Sequence, residues 1–130
     1  MPPRTETDFA IRVARVHDDL AEFPGARLLV DRIWPRGVRR DVLQPDDWIR
    51  EVAPSTALRT WFGHDRDRWD AFRTRYLAEL GDNPDSVERC LAWCRAGPVV
   101  LLFAAKDRDH NQAVVLRDHL RERLTREDAT

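Results

Sequence analysis

The run V-V-L-L-F-A-A, Val99–Ala105, follows Gly97-Pro98 and is the most hydrophobic part of the chain. An unbroken apolar run of this length matches a strand buried on both faces, the pattern of a parallel-sheet interior. The strand expected here, Pro98 to Ala105, is the candidate sheet centre. A second run, Arg27 to Ile33, carries Leu28, Leu29 and Val30 in succession and reads the same way. A long helical stretch separates the two, so they are expected to lie parallel, joined by a right-handed crossover. A first strand, Ile11 to Val16, alternates apolar residues with arginines, and its short connection permits either direction.

The crossover is punctuated clearly. Pro45 is expected to open a short helix carrying Trp48, Ile49 and Val52, stopped at Pro54. Ser55 then caps a helix over Thr56 to Phe62, with Gly63 at its left-handed end. Trp69, Phe72, Tyr76 and Leu80 recur at helical spacing before Gly81, and Asn83-Pro84 starts a further helix with Val87, Cys90, Leu91 and Cys94 on one side. The last helix is expected from about His110 to Leu124, on the stripe Ala113, Leu116, Leu120 and Leu124. The order is α/β: a small, mostly parallel sheet of about three strands flanked by helices, a three-layer, Rossmann-like arrangement. One domain is expected over residues 8–125, with flexible ends at 1–7 and 126–130.

Composition narrows the function classes. Twenty-two basic residues against 23 acidic ones give a net charge of -1, which removes the bulk electrostatic case for a dedicated nucleic-acid binder. Any anion site must be local. The charged fraction of 35% breaks every candidate membrane span. No signal-peptide pattern opens the chain, so a cytoplasmic protein is expected, with Cys90 and Cys94 reduced. Four-residue spacing on an apolar helix face makes these two core thiols rather than a zinc pair or a redox motif. No Walker A loop and no G-x-G-x-x-G is present, so nucleotide binding by those routes is disfavoured and any cofactor is unknown. Monomer and homodimer both remain open.

Parallel pairing has a functional consequence, because residues following the two strands then share one rim, where open parallel sheets place their ligand crevice. Asp31, Arg32 and Arg36 from one tip would meet Lys106, Asp107, His110 and Asn111 from the other. Arg32 and Arg36 offer planar forks for carboxylate or phosphate, and Lys106 a compact charge. The free N–H groups at the start of the last helix would face the same place. Pro35 and Gly37 turn the chain, and Trp34 either covers the cleft or pins its loop.

Simpler readings stand beside these. Asp31 either orients a ligand or acts as a base, or else neutralises Arg32 or Lys106. Asp107 either contacts the ligand or caps the last helix. Asn111 donates to a ligand or to a loop carbonyl. Ser55 is a helix cap whose hydroxyl could also touch an anion. His64 is a base at the rim or the entry to the next helix. The candidate assignment is Lys106 and Asp31 for chemistry, with Arg32, Arg36, Ser55, Asp107, His110 and Asn111 for binding and no metal. The ligand expected is an anionic small molecule, a phosphate ester or nucleotide-like compound, in a small enzyme or binding domain. The alternative is a non-catalytic nucleic-acid or protein interaction module, for which residues 27 to 40 offer five arginines against one aspartate before Asp41.

Three ordered motifs carry a family resemblance: V-D-R-I-W-P-R-G; E-V-A-P-S-T-A-L-R-T-W-F-G-H-D with W-D-A-F-R-T-R-Y-L-A-E-L; and L-L-F-A-A-K-D-R-D-H-N-Q-A-V-V-L. Together they resemble the domain-of-unknown-function 488 (DUF488) family in its short YeaO-like branch, from about Val13 to Leu124. The resemblance implies a small cytoplasmic α/β protein whose motif residues include Asp31, Arg32, Pro35, Arg36, Gly37, Pro54, Ser55, Lys106 and Asn111. It implies no reaction. Family members often have His at the position of Gln112, and the Gly63-His64 pair varies, which weakens His64 as a catalyst. Longer relatives carry Cys-His-Arg after the equivalent strand, whereas this chain has no Cys there, so thiol chemistry does not transfer.

Overall fold

The computed structural model describes residues 10–129. Four strands form one sheet in the order β1-β4-β2-β3: β1 is Ile11–Arg15, β2 Ala26–Leu29, β3 Asp47–Trp48 and β4 Val99–Phe103. Every pairing is parallel. The two apolar runs therefore lie side by side as expected, with Leu28 opposite Leu101 and Leu29 opposite Leu102. The first strand, whose direction the sequence left open, also runs parallel and borders β4.

All five residues of β4 are buried, and their alternation divides the core in two. Val99, Leu101 and Phe103 join Ile11, Leu28 and Val30 under helices α2 (Thr56–Phe62), α3 (Trp69–Gly81), α4 (Pro84–Ala96) and α5 (Gln112–Ala129). Val100 and Leu102 face the other way with Ala14, Leu29 and Leu43. That second face is covered by short pieces: α1 (Arg40–Leu43), the turn bearing Leu20 and Phe23, and the indoles of Trp34 and Trp48. The sheet is thus flanked on both sides, but its long helices share one side.

Local punctuation placed the helices well. The Ser55 hydroxyl accepts from the Leu58 N–H at 3.1 Å, and Gly63 closes α2 at φ 53°. Pro84 opens α4 next to Asn83, and Gly97 follows its end. Cys90 is buried and Cys94 half-buried, both as free thiols.

Four expectations need correction. The second strand stops at Leu29 rather than Ile33, because the chain turns off the sheet after Val30 and leaves Ile33 60% exposed. The helix expected from Pro45 does not form. Asp46 is zipped to Arg27, its N–H donating to the Arg27 carbonyl at 2.8 Å and its carboxylate accepting from the Arg27 N–H at 2.7 Å. That pairing draws Asp47–Trp48 into the edge strand β3, with only a single tight turn following at Arg50–Val52. The short helix α1 had no counterpart in the sequence reading. Finally, α5 begins at Gln112 and continues to Ala129, so residues 126–129 extend a helix where a loose end was expected. The segment 1–7, also expected to be flexible, lies outside the described residues.

Gly25 shows how tightly β2 enters beside β4. At φ +113° it sits against Pro98, and a Cβ there would fall 2.3 Å from the Pro98 carbonyl oxygen. No helix among the described residues is long and apolar enough to cross a membrane.

Candidate functional site

The carboxyl ends of β2 and β4 open into a cleft of about 830 Å³. One lip is residues 31–36, the opposite wall is 104–107 with 110–112, and α2 leans over it with Arg59, Thr60 and Phe62. All of the sequence-nominated residues except Ser55 line it. The two strand tips are joined directly through Asp31. Its carboxylate accepts the Ala104 N–H at 3.0 Å and the Gln112 side-chain amide at 2.5 Å. Burial pushes the Asp31 carboxyl up to about 6, against the pull of those two donors and of the Arg59 charge. Desolvation wins because the two hydrogen bonds and the Arg59 charge, which is not bonded to the carboxylate, replace only part of the lost water.

The cations divide into tied and free. The Arg32 guanidinium donates to the carbonyls of Pro54 at 3.1 Å and Ala53 at 3.0 Å, bracing the lip against the segment before α2. Arg36, Arg59 and Lys106 are exposed, and none is hydrogen-bonded or ion-paired to a carboxylate among the described residues. They come from three separate segments and meet at one cleft. Of the neighbouring arginines, Arg39 pairs with Asp41 at 2.5 Å, and Arg40 stacks over the rings of Trp34 and Trp48. Trp34 pins its own loop by donating to the Val38 carbonyl at 2.7 Å.

The loop leading into α5 is largely satisfied from within. Asp107 accepts from the N–H groups of Asp109 at 3.0 Å and His110 at 3.1 Å, and from the Arg66 guanidinium at 2.9 Å. The His110 ring nitrogen Nδ1 lies 3.2 Å from both of its oxygens. Desolvation opposes the Asp107 charge, yet these donors outweigh it and hold the carboxyl well below the usual carboxylate range. Asn111 is buried; its amide donates to the Asp107 carbonyl at 2.9 Å and its oxygen accepts from the Val114 N–H at 3.2 Å, the geometry of a helix cap. Of the first-turn N–H groups of α5 that of Val114 is taken by Asn111, while Asp107 takes those of Asp109 and His110 in the loop before it.

Ser55 is directed elsewhere. Besides capping α2, its hydroxyl donates to Glu79 at 2.6 Å, beside a separate cavity of about 80 Å³ that it shares with Arg32 and Tyr76. Ser55 therefore caps α2 and does not line the larger cleft. His64 does reach the cleft, exposed and in a left-handed conformation at φ 59°. Sequence reading missed Arg59 and Gln112 as cleft residues. The signals were present: Arg59 lies one turn on from Ser55, and Gln112 is the first residue of the helix after β4. Cys90 and Cys94 lie away from the cleft, and burial pushes both thiols up to about 12, which suits packing and not nucleophilic chemistry. Among the described residues no group of three or more His, Cys, Asp or Glu is placed to hold a metal ion.

Fold and cleft together define a small α/β protein with an all-parallel sheet and a charged crevice at its carboxyl rim. The chain belongs to the DUF488 family: the model described as "Inactive DUF488-N3 subclade" matches residues 10–130. It is 40% identical to the uncharacterized protein YeaO of Escherichia coli K12 over 111 residues, covering 85% of this chain and 96% of that one. It is also 48% identical over 73 residues to the uncharacterized proteins Mb3100c of Mycobacterium bovis and Rv3073c of Mycobacterium tuberculosis, covering 56% of this chain and 62% of each of theirs. No solved structure matches.

Proposed function

We propose that this protein binds a phosphate-bearing small anion in the rim cleft. The observation that carries the reading is the convergence of Arg36, Arg59 and Lys106 on one crevice, none with a bonded carboxylate among the described residues. An anion there would gain from three exposed guanidinium and ammonium groups lining one concave, partly apolar surface, with the Asp31 carboxylate at its foot offsetting part of their charge. Arg36 and Arg59 supply the planar forks and Lys106 the point charge, while Arg32 holds the lip in place. Asp31, fixed by Ala104 and Gln112, is a positioned acceptor at the foot of the cleft. The word "inactive" in the description of the matching subclade favours binding without turnover, so Asp31 and Lys106 act here in recognition. The free, packed cysteines favour a reducing compartment, and we place the protein in the cytoplasm.

The interaction-module reading has less support, because within 27–40 the Arg32 guanidinium is committed to carbonyls and Arg40 lies over two indoles.

Calorimetric titration with inorganic phosphate at low salt tests the proposal. Arg36→Ala removes one charge-assisted contact, about 1.5–3 kcal/mol, so affinity should fall about tenfold or more. Lys106→Met should weaken binding as well. Both residues are exposed, so melting temperature should hardly move. Wild-type protein that takes up no phosphate, or variants that bind it unchanged, would remove the proposal.

A further inference from the structure

The cations account for only part of the cleft. At about 830 Å³ it falls in the size range of sites that enclose whole small molecules, roughly 300–1,000 Å³, far more than one oxyanion fills. Much of its surface is hydrocarbon. Ile33 stands 60% exposed on the lip between Arg32 and Arg36, and with Val42 it forms the pair of large hydrophobic side chains left exposed among the described residues. Ala104, Ala105 and Phe62 line the same cleft. The Phe62 ring is stiff, stacked on Phe72 at a centroid distance of 4.4 Å.

An isoleucine held in water beside two arginines gains nothing for the fold, since β2 has already ended and the chain has turned away from the core. It gains from being covered. A ligand whose charge sits on Arg36, Arg59 and Lys106 would extend its remaining body over this apolar lip. We infer that the ligand carries an apolar ring next to its anionic group, as an aryl phosphate monoester does. This rests on the anion reading above and adds the second half of the molecule.

Methyl phosphate and phenyl phosphate separate the two ideas, because they share the anion and differ in the ring. Each is titrated calorimetrically into wild-type protein and into Ile33→Ser, whose exposed position leaves folding intact, as equal melting temperatures would verify. Phenyl phosphate should bind wild type about tenfold or more tighter than methyl phosphate, and the advantage should shrink to about threefold or less in Ile33→Ser, with methyl phosphate affinity unchanged. Equal affinities on wild type would overturn the ring inference and leave the anion reading standing. A ring advantage that survives Ile33→Ser would overturn it too, since the lip would not be holding the ring. Binding of neither compound would end both.

Discussion

Replacing Asp31 with Asn should make the protein more stable at neutral pH, although it removes a carboxylate that takes two hydrogen bonds. Burial raises this carboxyl from 3.8 to about 6, which corresponds to about 3 kcal/mol of preference for the protonated form in the folded state. The sign follows from linkage: with the folded value above the unfolded one, the stability is fully present below 3.8 and is lost as pH rises through about 6. At neutral pH the wild type therefore carries an ionised, largely buried carboxylate at a cost that a neutral isostere avoids. Asn can still accept from the Ala104 N–H, and a flipped Gln112 amide can accept from the new NH2 group. Imperfect replacement reduces the gain to about 1–3 kcal/mol. Urea denaturation of both proteins across the acidic to neutral range measures this directly. Below 3.8 Asp31→Asn should match wild type or be up to about 2 kcal/mol less stable, and the difference should rise in its favour by about 3 kcal/mol to a plateau above about 6, other carboxylates cancelling in the difference. A variant less stable than wild type at neutral pH, or a difference that does not change with pH, would refute the reasoning.

Other perturbations test the scaffold around the cleft. Arg32→Met strands the carbonyls of Ala53 and Pro54 and should cost about 2–4 kcal/mol in denaturant midpoint analysis, in contrast to the near-neutral effect of Arg36→Ala. Gly25→Ala forces a methyl group to within 2.3 Å of the Pro98 carbonyl oxygen at φ +113°, so a loss of at least about 2–3 kcal/mol is expected. Single-stranded DNA and RNA should show no electrophoretic shift even at low salt, because the net charge is -1 and, of the 27–40 arginines, Arg32 is committed to carbonyls and Arg40 to two indoles.

What the sequence revealed, and what it hid, follows from how local each signal was. Helices α2 and α4 were legible because Ser55, Gly63, Pro84 and Gly97 act on their own neighbours. Pairing of β2 with β4 was legible because both are continuous apolar runs, and from parallel strands alone the meeting of Asp31 with residues 104–111 followed. Strand β3 was hidden, since its two residues are extended only through pairing with β2, a long-range effect that overrides the local pattern after Pro45. The same applies to Arg59, whose reach depends on how α2 leans over the rim, and to Gln112, whose partner Asp31 is far away in the chain. For Asp107 and Asn111 the sequence leaves cap and ligand roles open, and only the loop geometry shows the capping bonds that both make. Functional residues and capping residues share the same chemistry, so sequence alone cannot separate them.

The central claim is that the cleft between the tips of β2 and β4 attracts an anion. Isotope-labelled protein titrated with inorganic phosphate at constant pH and low salt, followed by backbone amide chemical shifts, tests it most directly. The account predicts saturable changes confined to residues 31–37, α2 around Arg59, and 104–112, abolished when Arg36 and Lys106 are both neutralised. Shifts that stay absent, or that gather on a distant face and persist in the double variant, would contradict it.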